Sequence, residues 1–242
     1  MSRTEAFNQY AEAQKKAKKY YSACVARGVS PYPQVLEEMI DDSASSNLVK
    51  VGLVDIPADR IIGTWTDGRK AAFAGNFMPL MDVNTEFGGK WVNLCEAHLD
   101  EGGITDPITC IEYLGNFYVQ EGHKRVSVLN SYDSPSIPGI VTRLMPAPSA
   151  DKQVQIYFEF LKFYKVSRTY LVTFTQPGSY ARLQAALGFK PDQEWTEDDR
   201  RGFSSDFRRF SDAFQQLNTE KLPLTAGPSA AISGAFPKPS SN

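Results

Sequence analysis

The run EGHKR at 121–125 has the clearest chemical potential in the sequence, because it places an acid, an imidazole and two cations around one glycine. A β-prone segment, 117–119, precedes it, and apolar residues at helical spacing, Val126 and Leu129, follow it. The run is therefore predicted to form the turn between a strand and a helix. The first turn of a helix presents unpaired N–H groups and a partial positive charge, so a bound phosphate would stabilise the cations placed there.

Two residues of this turn have individual roles in the prediction. Gly122 can adopt backbone angles that other residues avoid, which suits a tight turn into a helix. Glu121 stands immediately before the glycine and could hold a metal ion that rides on the phosphate. The alternative is an exposed turn with solvated charges, and the run EGHKR taken alone favours that alternative.

Two further segments could contribute to a phosphate site. In GTWTDGR at 63–69, two glycines and two threonines next to Arg69 could form a phosphate-facing loop, or a plain turn with surface hydroxyls. The segment 73–87 is rich in aromatic residues and methionine but has no clean periodicity, which predicts a loop. Such a loop either packs over the core or covers a base or small ligand, and both interpretations stay open.

Three motifs in a fixed order resemble the signature of the ParB/sulfiredoxin superfamily. The first is EGHKRVSVL at 121–129, followed by IPGIV at 137–141. The second, GITDPI at 103–108, resembles the G-I-x-x-P-I start of a strand in that superfamily. The third is Gly68-Arg69, which resembles its first arginine box. The resemblance covers about 48–146, and the ordered set is more specific than any single motif.

The resemblance implies a nucleotide-binding module that binds ATP or CTP together with Mg²⁺. Glu121 would position the metal, and the phosphate contacts would come from Arg69, Thr66, Gly122, His123, Lys124 and Arg125. Nucleotide hydrolysis or phosphoryl transfer would follow if Glu121 or His123 acted on water or on a hydroxyl substrate, as in the free-serine kinases of the superfamily. A sulfiredoxin-type reduction is not expected, because His123 occupies the position of the required cysteine.

A DNA-binding regulator or partition protein of ParB type is the alternative function. The order of the motifs supports it, but a net charge of -2 and a pI near 5.8 give a poor electrostatic footprint for DNA. The C-terminal region shows no convincing recognition helix. Its arginines form a modest basic cluster that neighbouring aspartates dilute: Arg200, Arg201, Arg208 and Arg209.

Composition sets the broad class of the protein. A chain of 242 residues with 42% hydrophobic and 22% charged residues is typical of a soluble globular protein. No apolar run reaches membrane-spanning length, and the N-terminus lacks the apolar core of a signal peptide, so a cytoplasmic location without a membrane partner is predicted. The cysteines Cys24, Cys95 and Cys110 show no metal spacing with either histidine and are predicted to be buried, reduced thiols. His98 is predicted to pack inside the fold.

The fold class predicted from these observations is α+β, with a small mixed sheet and helices of ParB/sulfiredoxin type. A helical extension at 1–47 would precede the core at 48–146. A mainly helical subdomain at 147–222 would follow. The last segment, 223–242, is rich in Pro, Ser, Gly and Ala and is predicted to be a disordered tail or a linker to a fused or separate partner domain.

The expected elements follow from periodicity and turn residues. Helices are predicted at 3–27, 31–40, 89–100, 154–164, 178–187 and 198–217. Strands are predicted at 48–54, 108–113, 117–119, 137–141 and 170–175. Residues 55–57 should turn the chain, Gly115-Asn116 should form a two-residue hairpin, and 121–136 is long enough for a crossover between parallel strands. The aromatic stripe on the last helix is expected to be core.

Overall fold

The computed structural model describes residues 3–40, 47–100 and 103–217 of the chain. Its residue contacts divide the chain into a first unit, Met1–Ala147, and a second unit, Pro148–Asn242. The first unit combines helices with a sheet of parallel and antiparallel strands, which confirms the predicted α+β class. The domain boundaries drawn from the sequence stay predictions, and the tail at 223–242 lies outside the described residues.

One sheet organises the first unit. Its strands are β1 Gln34–Val35, β2 Leu48–Pro57, β3 Ile61–Thr64, β4 Ile108–Tyr113, β5 Asn116–Glu121 and β6 Ser136–Leu144. Across the sheet they follow the order β1-β3-β5-β4-β6-β2. The pairs β1–β3, β3–β5 and β4–β6 are parallel, whereas β4–β5 and β2–β6 are antiparallel. The strands that flank the EGHKR turn are therefore central, and β1 and β2 form the edges.

Three helices of the first unit share one apolar cluster. They are α1 Arg3–Ala26, α2 Glu86–Asp100 and α3 His123–Ser131, close to their predicted bounds. The ring of Tyr10 on α1 meets Trp91 of α2 edge-on, with 5.1 Å between the ring centroids. Trp91 Nε1 also donates a hydrogen bond to Ser127 Oγ on α3, at 2.9 Å. Packing and this buried hydrogen bond together fix α3, and with it the EGHKR turn.

The hairpin between β4 and β5 turns one residue earlier than predicted. Tyr113 pairs with Asn116, so Leu114 and Gly115 form the two-residue turn, with φ of 51° and 80°. Positive φ at both central residues is the signature of a type I′ turn, whose twist matches that of the strands. The prediction of Gly115-Asn116 was wrong because the sequence marks the glycine but not its position within the turn.

The helix α3 does not form the predicted crossover between parallel strands. The hairpin brings β4 back beside β5, and β6 then pairs with the free side of β4. As a result α3 connects two strands, β5 and β6, that run in opposite directions with β4 between them. The length argument allowed a parallel crossover, but the long-range pairing of β4 with β6 decided the topology.

Two local predictions in the first unit were wrong. Residues 31–40 form β1 and a short 3₁₀ helix, Leu36–Glu38, instead of a helix. Pro31 and Pro33 disfavour helical angles before them, and β1 gains its stability by pairing with β3. The chain also does not turn at 55–57, because β2 continues to Pro57 and buries Ile56 completely.

The second unit contains three helices, α4 Lys152–Ser167, α5 Ser179–Ala186 and α6 Glu197–Leu217, all of which were predicted. Asp151 caps α4, since its side chain accepts hydrogen bonds from the N–H groups of the second and third helical residues. The described residues of this unit include no strand, so the prediction at 170–175 was wrong. Alternate residues there, Tyr170, Val172 and Phe174, are buried, but no neighbouring strand exists for pairing.

The aromatic stripe on α6 belongs to the core at only one position. Phe203 is buried and meets Trp195 edge-on at 5.1 Å between centroids, whereas Phe207, Phe210 and Phe214 are partly exposed. The prediction of a core stripe was therefore wrong beyond Phe203. Within the described stretches, no helix combines the length and the apolar character that crossing a membrane requires.

Candidate functional site

A glycine with left-handed backbone angles forms the EGHKR turn. Gly122 stands between β5 and α3 with φ 97° and ψ 18°. A Cβ at this position would lie 2.7 Å from Ile108 Cγ2, so both the backbone and the available space require glycine. No side chain caps α3, and its first helical hydrogen bond joins Val126 N–H to the Gly122 carbonyl. The N–H groups of the preceding helical residues have no helical acceptor.

A cavity of about 270 Å³ opens at this turn. Its lining includes five of the six predicted phosphate-contact residues and also Glu121. Apolar residues that the sequence did not single out complete the wall: Phe73, Phe87 and Leu94. The structure thus brings together Arg69 and the whole EGHKR run, which are separated by about fifty positions in the sequence. Thr66 is the predicted contact that does not line the cavity.

His123 is enclosed by aromatic rings and hydrogen-bonded to a buried threonine. Its ring stacks near Phe73 with 6.1 Å between centroids and 22° between planes, and Phe77 lies 6.5 Å away. The Thr64 hydroxyl lies 2.9 Å from His123 Nε2. Burial, together with the positive charges of Arg69 and Lys124, lowers the pKa of His123 to about 4. His123 is therefore neutral at neutral pH.

Lys124 and Arg69 concentrate positive charge at the cavity. The Lys124 ammonium lies 4.7 Å from the centroid of the Phe87 ring, a cation–π contact. Burial, Arg69 and Lys90 lower the pKa of Lys124, against a smaller opposing effect of Glu86. Among the described residues, no carboxylate lies within ion-pair distance of Lys124 or Arg69. Charge of one sign without a partner favours an anion at this position.

Arg125 has a second role that the sequence did not reveal. Its Nη1 donates hydrogen bonds to the carbonyl oxygens of Asp106 and Pro107, in the loop that leads into β4. The guanidinium therefore ties α3 to this loop even without a ligand. Arg125 still lines the cavity, so its predicted phosphate contact would have to come from its remaining N–H groups.

Glu121 is suited to a metal ion held mainly by the ligand. Its side chain is exposed at the cavity, and the described residues contain no group of three or more metal-binding side chains. A Mg²⁺ ion keeps several waters and binds proteins through one or two carboxylates plus substrate phosphates. One carboxylate beside a phosphate site fits that pattern.

Thr64, not Thr66, is the threonine in contact with the site. Thr66 is exposed at the start of a 3₁₀ helix, Asp67–Ala72, and its carbonyl accepts a hydrogen bond from Thr64 Oγ1 at 3.1 Å. Thr64 is the last residue of β3, beside β5, and is 1% exposed. A buried threonine at the end of a central strand is a recognisable signal, but the sequence did not show that this strand is central.

The loop at 73–87 packs over the core and also reaches the cavity. Phe73, Ala74, Phe77 and Met78 are buried. Phe77 has φ 60°, a strained value for a bulky residue, within a turn closed by the Ala74 N–H bond to Met78 O at 2.9 Å. The packing alternative is therefore confirmed, and contact with a base stays a prediction.

The thiols and the second histidine are structural, as predicted. Cys24, Cys95 and Cys110 are free and buried, and none lines the cavity. Burial raises the pKa of the Cys110 thiol far above its ordinary value, which keeps it unreactive. His98 Nδ1 accepts the Ile104 N–H at 3.0 Å.

The basic cluster of the second unit is largely neutralised by local contacts. Arg201 pairs with Glu197, Arg209 pairs with Asp206, and Arg200 donates to the Trp195 carbonyl. These contacts reduce the charge that would face a DNA backbone. The DNA-binding alternative stays a prediction without a structural observation in its favour.

The chain matches no family model, and no curated protein or solved structure is significantly similar to it. The resemblance to the ParB/sulfiredoxin superfamily therefore rests on the three sequence motifs alone. The function is argued below from the geometry of the cavity.

Proposed function

We propose that the protein binds the phosphate groups of a nucleotide, ATP or CTP with Mg²⁺, at the N-terminus of α3. One observation carries this proposal: an uncapped helix N-terminus opens into a cavity where two cations, Arg69 and Lys124, lack a carboxylate partner. Helix N–H groups and the helix dipole favour an anion, and the cations add charge-assisted hydrogen bonds.

The shape of the cavity supports phosphate binding more directly than it supports the base. About 270 Å³ is just below the range of complete small-molecule sites, roughly 300–1,000 Å³. The phosphate end of a nucleotide would fill the cationic part. The sugar or base would then lie against the apolar wall of Phe87 and Leu94 or reach solvent.

The assignment of a ParB/sulfiredoxin-like module, and of hydrolysis or phosphoryl transfer, belongs to the same proposal. The motif order and the α+β fold support it. Glu121 would hold the Mg²⁺ ion, which neutralises phosphate charge when bound. His123 is neutral and has an unprotonated nitrogen, so it could accept a proton from a hydroxyl group.

Thermal unfolding with and without nucleotide tests the proposal. Millimolar ATP or CTP with Mg²⁺ should raise the melting temperature of the full chain, because a ligand that binds only the native state stabilises it. Lys124→Gln should reduce this shift, whereas the control Lys15→Gln, on the exposed face of α1, should not. If no nucleotide and no inorganic phosphate shifts the transition, the proposed function is wrong.

A further inference from the structure

The Thr64 hydroxyl has three polar neighbours but only one proton. Its Oγ1 lies 3.1 Å from the Thr66 carbonyl oxygen, 3.2 Å from the Val119 carbonyl oxygen and 2.9 Å from His123 Nε2. Carbonyl oxygens only accept hydrogen bonds. If Thr64 donated its proton to His123, both carbonyl oxygens would face a hydroxyl lone pair in a buried site. The arrangement is satisfied when Thr64 donates to a carbonyl and accepts from Nε2–H.

The tautomer of His123 follows from this hydrogen bond. A neutral imidazole carries one proton, so a proton on Nε2 leaves Nδ1 with a lone pair. Within the described part of the chain, no group donates a hydrogen bond to Nδ1. The stacking of Phe73 against the ring, with 22° between planes, restricts the ring to this orientation. The ring therefore presents a fixed acceptor.

Most groups around this acceptor are donors or cations. Arg69 approaches from the 3₁₀ helix, and Lys124 and Arg125 belong to α3, beside the unbonded helix N–H groups. Lys90 and Glu86 of α2 pair with each other and act mainly on Lys124. Glu121 and Gln120 are exposed, so water hydrates their acceptor oxygens.

We propose that Thr64 is a positioning residue that holds His123 as the Nε2–H tautomer, so that Nδ1 accepts a hydrogen bond from a protonated phosphate oxygen of the ligand. This inference rests on the proposed phosphate site and adds its selectivity. A phosphate that carries a proton satisfies both the donors and the acceptor. Sulfate carries no proton near neutral pH and brings a lone pair against Nδ1. Sites built around such a hydrogen bond reject analogues that lack the donor.

The tautomer can be measured in the wild-type protein without a ligand. Long-range ¹H–¹⁵N NMR spectra distinguish Nε2–H from Nδ1–H, and the chain has only two histidines. His98 is an internal control, because the Ile104 N–H donates to its Nδ1 and requires the Nε2–H form there too. Both rings should show Nε2–H at pH 7. In Thr64→Val only the His123 signals should move toward a mixture of tautomers. A wild-type His123 with Nδ1–H would overturn the inference.

Anion selectivity provides the second measurement. Metal-free titration calorimetry with sodium phosphate and sodium sulfate at equal ionic strength should give about tenfold tighter binding of phosphate. His123→Phe keeps an aromatic ring beside Phe73 and should abolish this preference, and Thr64→Val should reduce it. Equal affinities in a wild-type protein with the Nε2–H tautomer would refute the selectivity alone. Binding of neither anion would refute the proposed phosphate site and the selectivity with it, while the NMR result would still stand.

Discussion

Two groups of charged residues in the first unit differ in how their charges are compensated. Glu112 on β4 is fully buried, pairs with Arg143 of β6 and accepts the Gly115 N–H at 2.8 Å. At the cavity, Arg69 and Lys124 have no carboxylate within reach among the described residues. A charge that is paired inside the sheet serves the fold. A charge left without a partner in a cavity is available to a ligand.

The largest expected effect comes from breaking the buried pair. Glu112→Ala should lower the free energy of unfolding by about 3–5 kcal/mol, because it leaves the Arg143 guanidinium buried without its carboxylate. Urea unfolding of the full chain measures this loss. Glu12→Ala removes an exposed carboxylate that pairs with Lys15 at 3.8 Å and should cost no more than about 1 kcal/mol. Similar losses in the two variants would contradict the structural role of the buried pair.

A smaller effect is expected from the glycine that forms the cavity. Gly122 and Gly178 both precede helices, with φ of 97° and 76°, but only a Cβ at Gly122 would meet another atom within 4 Å. Gly178→Ala should therefore cost about 1–2 kcal/mol from backbone strain alone. Gly122→Ala should cost about 2–4 kcal/mol, because it also displaces Ile108. Equal costs in denaturant unfolding would show that Ile108 moves freely.

The smallest expected effect sharpens the comparison through its sign. Arg69→Gln should leave the free energy of unfolding of the ligand-free protein unchanged or raise it by up to about 0.5 kcal/mol, because Arg69 opposes the charge of Lys124. Added salt should stabilise the wild type slightly more than the variant, since ions screen this repulsion. Urea unfolding at low and high salt measures both quantities. A clear loss of stability would mean that Arg69 has a structural partner.

The segment around the EGHKR turn was predictable because local rules decide it. The spacing of Val126 and Leu129, the glycine before them and the β-prone run at 117–119 predicted β5, the turn and α3 correctly. The position of β4 between β5 and β6 was not predictable in this way. It depends on pairing between segments far apart in the chain, and periodicity carries no information on partners.

The candidate site was predicted at the level of charge but not of contact. The sequence identifies the cations around Gly122, yet it does not show that the carbonyls of Asp106 and Pro107 already engage Arg125. It also favoured Thr66 over Thr64, because burial separates two threonines that are only two positions apart. The nucleotide, the Mg²⁺ ion and the cytoplasmic location stay predictions.

The two edge strands also affect how the molecule behaves among its own copies. An edge with a long, flat row of free N–H and C=O groups can pair with another chain and start an aggregate. β1 has two residues and follows Pro33, which has no N–H group to donate. β2 is longer, but its register shifts between Lys50 and Gly52 and it ends at Pro57. Neither edge offers a long regular template, so strand addition between molecules is disfavoured.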